Sequence, residues 1–229
     1  MAHAVAGVAA VERAGGGDPR PELVVAVDDL LACLTLLRAA YGGLPVPAPL
    51  ATTLKLDLEG LKLGGGHALL DGKLLRLMGE HATASAGAVI AHHSAPLGAV
   101  LRTLRAAEKR AKGPGGRDAF AITLLKRGGG ATELTLPWRL DAPTLDDSPM
   151  QVLAQLTALF AGRDTSRKAA YVTQGWMPHL PAQLGRDALH PLLAHNLAYQ
   201  LIRQGTDTAQ ADDYGHKLAT LAVHPRLAD

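Results

Sequence analysis

The stretch that decides the fold is Ala82-Thr-Ala-Ser-Ala-Gly-Ala-Val-Ile-Ala-His-His-Ser-Ala-Pro-Leu97. Small residues dominate from Ala82 to His92, and the run closes on β-branched Val89 and Ile90. That composition predicts a buried strand that another backbone or a ligand can approach closely. Ser94 then offers an N-cap, and Pro96 stands in the first turn of a helix, where a missing N–H costs nothing. The helix is expected over 95–112. Leu97, Val100, Leu101, Leu104 and Ala111 form its apolar face, and Arg102, Arg105, Lys109 and Lys112 recur at helical spacing on another. Gly113-Pro114-Gly115-Gly116 ends it, and Ala119 to Leu125 reads as the next strand.

Working upstream, Leu23 to Val27 and Leu30 to Leu34 are two apolar runs separated only by Asp28-Asp29. Short apolar runs around a two-residue polar turn predict a hairpin, here without the usual turn glycine. Residues 2–13 are rich in Ala and Val and predict a helix closed by Gly15, Gly16 and Gly17. Thr35 to Tyr41 reads as a helix stopped by Gly42-Gly43, and the proline-rich 44–49 as a connector. Residues 55–66 give no clear element. Residues 69–78, apolar with Lys73 and Arg76 interleaved, read as a helix or strand beside a site. From Pro149 the pattern turns helical, with helices expected at about 150–161, 166–177, 186–204 and 209–223. The expected organisation is therefore an α/β domain over 1–140 and a helical domain over 141–229.

Composition narrows the function classes. The chain has 229 residues, 48% of them hydrophobic, with a net charge of +2 and a single cysteine. This is enough chain for a real core and the wrong composition for disorder. One cysteine excludes a disulfide framework and a multi-cysteine metal site. No apolar run reaches the roughly 20 residues of a membrane span, and no signal peptide is visible, so a soluble cytoplasmic protein without a membrane partner is expected. Charge is unevenly distributed. Between Leu97 and Arg127 eight basic residues face two acidic ones, a local +6 that leaves −4 for the rest of the chain. Such a segment is either an anion site or a solvated helix face.

Several motifs fail on inspection. Gly66 to Lys73 comes near a phosphate-binding P-loop, but its spacing is one residue too long and Leu74 replaces the Ser/Thr that holds magnesium. His92-His93 and His190 with His195 lack the further ligands of a zinc site. Asp28-Asp29 is the sharper signal, because two adjacent carboxylates at a hairpin tip can hold a divalent ion facing a triphosphate. An ordinary Asp-Asp turn is the plain alternative.

Taken together, three segments closely resemble a known family: Ala82 to Leu97, Leu104-Arg-Ala-Ala-Glu-Lys-Arg-Ala-Lys112, and Gly115-Gly-Arg-Asp-Ala-Phe-Ala-Ile-Thr-Leu-Leu-Lys-Arg127. The family is the large subunit of type III CRISPR–Cas effector complexes of the Cmr (III-B) subtype, and the resemblance is to its second palm domain. Leu69 to Met78 is similar to the same family, and the match runs from about Glu22 to Arg127. The resemblance implies a ferredoxin-like, nucleotide-cyclase-like palm followed by the family's helical last domain. It also implies an enzyme ancestry in which ATP is joined into cyclic oligoadenylates with Mg²⁺ or Mn²⁺. Its implied partners are the other type III effector subunits, with guide RNA and target RNA bound through the complex.

By this resemblance Asp28 and Asp29 take the place of the two metal-binding, catalytic Asp of a Gly-Gly-Asp-Asp hairpin. Ser85 and Gly87 lie on the strand beside the nucleotide, and Lys112 and Arg117 lie where the related cyclases hold the triphosphate. A lysine ending a helix over a metal-loaded hairpin would clamp a triphosphate. Two departures point to an impaired site. Ala26-Val27 replace the two glycines, and β-branched Val27 forbids the backbone freedom they supply. The family's first palm strand, with its further metal-binding Asp, has no counterpart before Ala2, and its nuclease-like domain, first palm and zinc-bearing insertion are outside the match. The chain is thus expected to be a fragment or a reduced subunit.

That leaves a gap between the hairpin (23–34) and the strand at 82–92, to be filled by a partner's strand. The alternative fillers are the N-terminal segment or residues 52–63. Three functions compete: a structural and regulatory subunit, an active synthase completed by another chain, and, more remotely, a bacterial cyclic-dinucleotide cyclase.

Overall fold

The computed structural model describes residues 5–12, 22–142, 145–162, 164–181 and 184–224. The chain divides into two compact units at Arg139/Leu140. The first unit contains, in order, β1 (Val5–Glu12), β2 (Glu22–Ala26), α1 (Leu30–Gly42), α2 (Ala48–Thr53), β3 (Leu61–Gly64), β4 (His67–Leu70), β5 (Lys73–Arg76), β6 (Ser85–His92), α3 (Leu97–Lys112), β7 (Ala119–Leu125) and β8 (Ala131–Pro137). The main sheet has the order β2-β1-β6-β7-β8. Every pair is antiparallel except β6 and β7, and that parallel pair requires a crossover, which α3 supplies. The α3 face of the sheet is built from Val89 and Ala91 of β6 and Ala119 and Ala121 of β7, packed on Val100, Leu104, Ala107 and Ala111. The mixed α/β sheet followed in the chain by helices is the expected fold class, a palm-like domain and then a helical region.

Three local expectations are corrected. Residues 5–12 are a strand, not part of a helix, and they lie between β2 and β6. The gap expected there is therefore filled not by a partner's strand but by the N-terminal segment, one of the two alternative fillers, with eight residues paired to β6 and five to β2. Alanine favours the helix over valine by less than about 1 kcal/mol per residue, so hydrogen bonding on both edges overrides local preference. The glycine triplet that follows lies outside the described residues.

The second correction concerns Asp28-Asp29. No return strand follows it; a short 3₁₀ turn, Val27–Asp29, leads straight into α1. Without a glycine, Asp28-Asp29 is poorly suited to the tight turn of a two-residue hairpin, in which one or both residues need positive φ. Leu30, Leu34, Arg38 and Gly42 recur at i+4 and are all buried, which makes a helical stripe of what alternation alone had suggested was a strand. Third, Leu97 stands 66% exposed at the start of α3 rather than on its apolar face, because the helix begins there with Pro96 as its cap.

Residues 61–76 form a separate antiparallel meander of three strands, β3-β4-β5. Its two turns are Gly65-Gly66 and Asp71-Gly72, all four residues with positive φ. The meander is tied to the end of α1, where the Gly66 N–H donates to the Gly43 carbonyl and the Met78 N–H to that of Tyr41. A Cβ on Gly43 would come within 2.4 Å of the Gly66 backbone.

The second unit holds α4 (Pro149–Ala161), α5 (Lys168–Trp176), α6 (Arg186–Arg203) and α7 (Thr208–Val223). These are within two residues of the expected helices. Small residues let α6 and α7 lie close together, since a Cβ on Gly215 would meet the Ala194 carbonyl at 2.4 Å. Ala169, Ala198, Leu201, Ala211 and Tyr214 form the core between the helices. Lys217 joins Asp147 (2.7 Å) to Asp213 (2.6 Å), and His190 bonds Thr220 (3.0 Å) with its ring edge-on to His216.

Candidate functional site

The candidate residues fall at two opposite ends of the main sheet. Ser85, Gly87, Lys112 and Arg117 gather where β6 begins and α3 ends. Ser85 is buried at the first position of β6. Gly87 lies two residues on, on the face covered by α3, and a Cβ there would stand 2.5 Å from the Glu108 amide nitrogen and 3.0 Å from the Leu104 carbonyl. The glycine therefore serves the close approach of α3 to the strand, which fills the space above it.

Glu108, only 2% exposed, receives the Lys112 ammonium at 2.9 Å, an i,i+4 pair in the last turn of α3. Burial, and then the neighbouring Arg117 charge, hold the Lys112 amine below its ordinary range. Arg117 is exposed at φ +61°, between Gly116 at +72° and Asp118 at +44°. Side chains adopt this left-handed backbone at a cost of order 1–3 kcal/mol each, and only where surrounding contacts impose it.

Those contacts are visible. The Asp118 carboxylate accepts the Ala84 N–H at 3.2 Å and pairs with Arg38 at 3.0 Å. Its carbonyl accepts the Trp138 N–H at 3.0 Å. The Trp138 indole N–H donates to the Ala84 carbonyl at 2.8 Å, and its ring packs on Phe120. The Arg38 side chain is 8% exposed, and its Nε and Nη1 have no hydrogen-bond partner among the described residues.

Asp28 and Asp29 stand at the other end. Both are exposed at the N-terminus of α1, where the helix dipole favours negative charge. The register places them: Ala26 pairs with Ala6, and Ala6 with Ala91, whereas Glu22 is opposite Ala10 and Ala10 opposite Gly87. The end of β2 thus lies level with the end of β6, and Ser85 with Lys112 lie at its beginning. The length of strand between Ala91 and Ser85 is roughly 20 Å. The structure brings Ser85, Gly87, Lys112 and Arg117 together and sets Asp28 and Asp29 apart from them.

A Mg²⁺ of a nucleotide site is bound by one or two carboxylates together with the substrate's phosphates. The Asp28-Asp29 pair does not fit a Mg²⁺ or Mn²⁺ shared with a triphosphate held at Lys112, because the distance is several times any coordination bond. No cluster of three metal-ligating side chains exists among the described residues.

Sequence reasoning missed Arg38, Glu108 and Asp118. Glu108 had a signal, as the single acid on a basic helix, four residues before Lys112. Arg38, placed i+4 after Leu34 on a buried stripe, had one only once α1 was read as a helix starting at Leu30.

Sheet, crossover helix and helical second unit together define a palm-type α/β protein. Neither a protein-family model nor a curated protein matches the sequence. The fold is similar to a chain in the cryo-EM structure of a type III-B Cmr-beta in its apo state, with a TM-score of 0.55 and 15% sequence identity. The similarity covers 87% of this chain and 19% of that one, so the protein spans about a fifth of the length of the chain it matches. Among the described residues no helix is long and apolar enough to cross a membrane.

Proposed function

We propose that this protein is a palm-type subunit of a cytoplasmic type III-B RNA-guided effector complex in which the cyclase-like site is impaired. The observation that carries this reading is the fold similarity to the Cmr-beta chain over 87% of the present chain. The Ala82 to Leu97 stretch, which resembles the second palm of the same family, supports it. On this reading the partners are the other effector subunits, and guide RNA and target RNA are met through the assembly.

Impairment is supported by the separation of the two ends of the sheet. Joining nucleotides requires the attacking hydroxyl, the triphosphate and the metal within a few ångströms of one another. ATP is the ligand this reading assigns to Ser85, Lys112 and Arg117, while a Mg²⁺ or Mn²⁺ ion on Asp28 and Asp29 would be about 20 Å away.

The test has two arms. Purified protein with ATP and Mg²⁺ or Mn²⁺ is expected to yield no cyclic oligoadenylate by mass spectrometry. Product above background would sink the impairment and favour a working synthase. Co-expression with the neighbouring effector subunits is expected to give a complex that elutes together on size-exclusion chromatography; separate elution would sink the subunit reading.

A further inference from the structure

A cavity of about 460 Å³ opens where the parallel strands β6 and β7 end and α3 begins. It is remote from Ser85 and Lys112, and the reading proposed above does not depend on it. The carboxyl ends of parallel strands are where open α/β sheets hold ligands, because the chain leaves the sheet there and a crevice forms between the departing segments. Ala95, Pro96, Ala99 and Leu125 give the cavity an apolar wall, and Lys126 and Arg127 line it with positive charge beside His92 and Ser94.

Both cations are exposed, and neither forms an ion pair among the described residues. The loop that carries them is braced by its own backbone: the Lys126 N–H donates to the Gly130 carbonyl and the Gly129 N–H to that of Lys126, both at 3.1 Å. Gly129 and Gly130 turn this loop at φ +92° and +80°. Of the carboxylates toward the same end, Glu133, opposite Thr123 on β8, is held by Arg110 at 2.8 Å, and Asp28 and Asp29 follow β2, three strand positions from β7. That is about 14 Å across the sheet, beyond the screening length of about 8 Å at physiological salt. The pair of positive charges is therefore not neutralised.

Two adjacent cations match a dianion, and Arg and Lys both favour phosphate oxygens. The volume lies in the range of small-ligand sites, and its apolar wall calls for a ligand with a non-polar or planar body. We infer that this cavity binds an organic phosphate of mononucleotide size, with its phosphate on Lys126 and Arg127 and its planar part against Pro96, Ala99 and Leu125. Such a group comes either as a free nucleotide or as the 5′-terminal nucleotide of an RNA strand.

Calorimetry on the full chain at low salt tests this with three probes: AMP, inorganic phosphate and a 5′-phosphorylated tetraribonucleotide. AMP is expected to bind, and Lys126→Ala combined with Arg127→Ala to weaken it by about tenfold or more. Ala99→Phe narrows the cavity while keeping both charges, so it should weaken AMP and leave inorganic phosphate unchanged. Lys62→Ala, which removes an exposed cation from β3, should alter neither. Thermal melts of each variant establish that it is folded. Tighter binding of the tetranucleotide than of AMP identifies an RNA end as the source, and the reverse order a free nucleotide. Equal AMP affinity in the wild type and the doubly substituted protein, or no binding at millimolar AMP, would overturn the inference.

Discussion

At one end of the main sheet Arg38, Glu108 and Asp118 are committed to contacts inside the protein; at the other, Asp28, Asp29, Lys126 and Arg127 stand in solvent. The first end also carries the left-handed pair Arg117 and Asp118, and the second an open cavity. The two ends carry charges of the same chemical types put to different uses. Where a carboxylate is buried against its cation, as Glu108 is against Lys112, the pair is committed within the protein, and a ligand must compete with it. Where cations face a crevice without a partner, their charge is available. Residue type alone cannot distinguish these cases; burial and pairing do.

The largest expected effect comes from the committed end. Asp118→Ala would leave the Arg38 guanidinium buried without its counter-charge and remove an acceptor from the Ala84 N–H. Breaking a buried pair in this way costs about 3–5 kcal/mol, to be read from urea denaturation followed by circular dichroism. A loss below about 0.5 kcal/mol, the range of ordinary surface substitutions, would break the comparison by placing Arg38 in solvent.

Gly87→Ala is next. Its Cβ would press on the α3 backbone, which is not a flexible group that can move aside, so a loss of about 1–3 kcal/mol is expected in the same assay. If Gly87 instead bordered an open nucleotide groove, the substitution would be nearly neutral for stability.

The smallest effect belongs to the exposed end. Asp28→Asn with Asp29→Asn removes two charges from the N-terminus of α1, each contributing about 0.3–1 kcal/mol at low ionic strength. The difference from wild type should shrink in high salt. A salt-independent loss as large as that of Asp118→Ala would mean that these carboxylates are tied into the structure after all.

How much was legible depended on whether a segment's structure is decided locally. The β6-α3-β7 region was readable because a strand of small and β-branched residues, a proline at the start of the helix (its cap rather than part of its first turn) and a Gly-Pro-Gly-Gly stop act within the segment itself. The helices of the second unit were readable for the same reason. Residues 5–12 were not, since only pairing with β2 and β6, the latter about 80 positions away in sequence, makes a strand of an Ala-rich run. In residues 30–34 two periodicities compete, and the missing turn glycine at Asp28-Asp29 was the clue that favoured the helix. The meander carried its own signals in Gly65-Gly66 and Asp71-Gly72, both tight-turn dipeptides between short apolar runs. Of the candidate site, the gathering of Ser85, Lys112 and Arg117 followed from β6 and α3. The remoteness of Asp28 and Asp29 rests on the register and antiparallel sense of β1 against both β2 and β6, which set the end of β2 level with the end of β6 and carry no local sequence signal.

The separation of the two ends is most directly measured as a distance between spin labels. In a Cys33→Ser background, labels attached through Asp28→Cys and Arg117→Cys would report it by double electron–electron resonance. Both positions are exposed, and neither belongs to an apolar core. The account predicts a distribution centred at roughly 20 Å or more, from the length of β6 between the two ends. A population centred near 10 Å would place the Asp28-Asp29 turn over the end of α3, restore a joint metal and triphosphate site, and contradict the account.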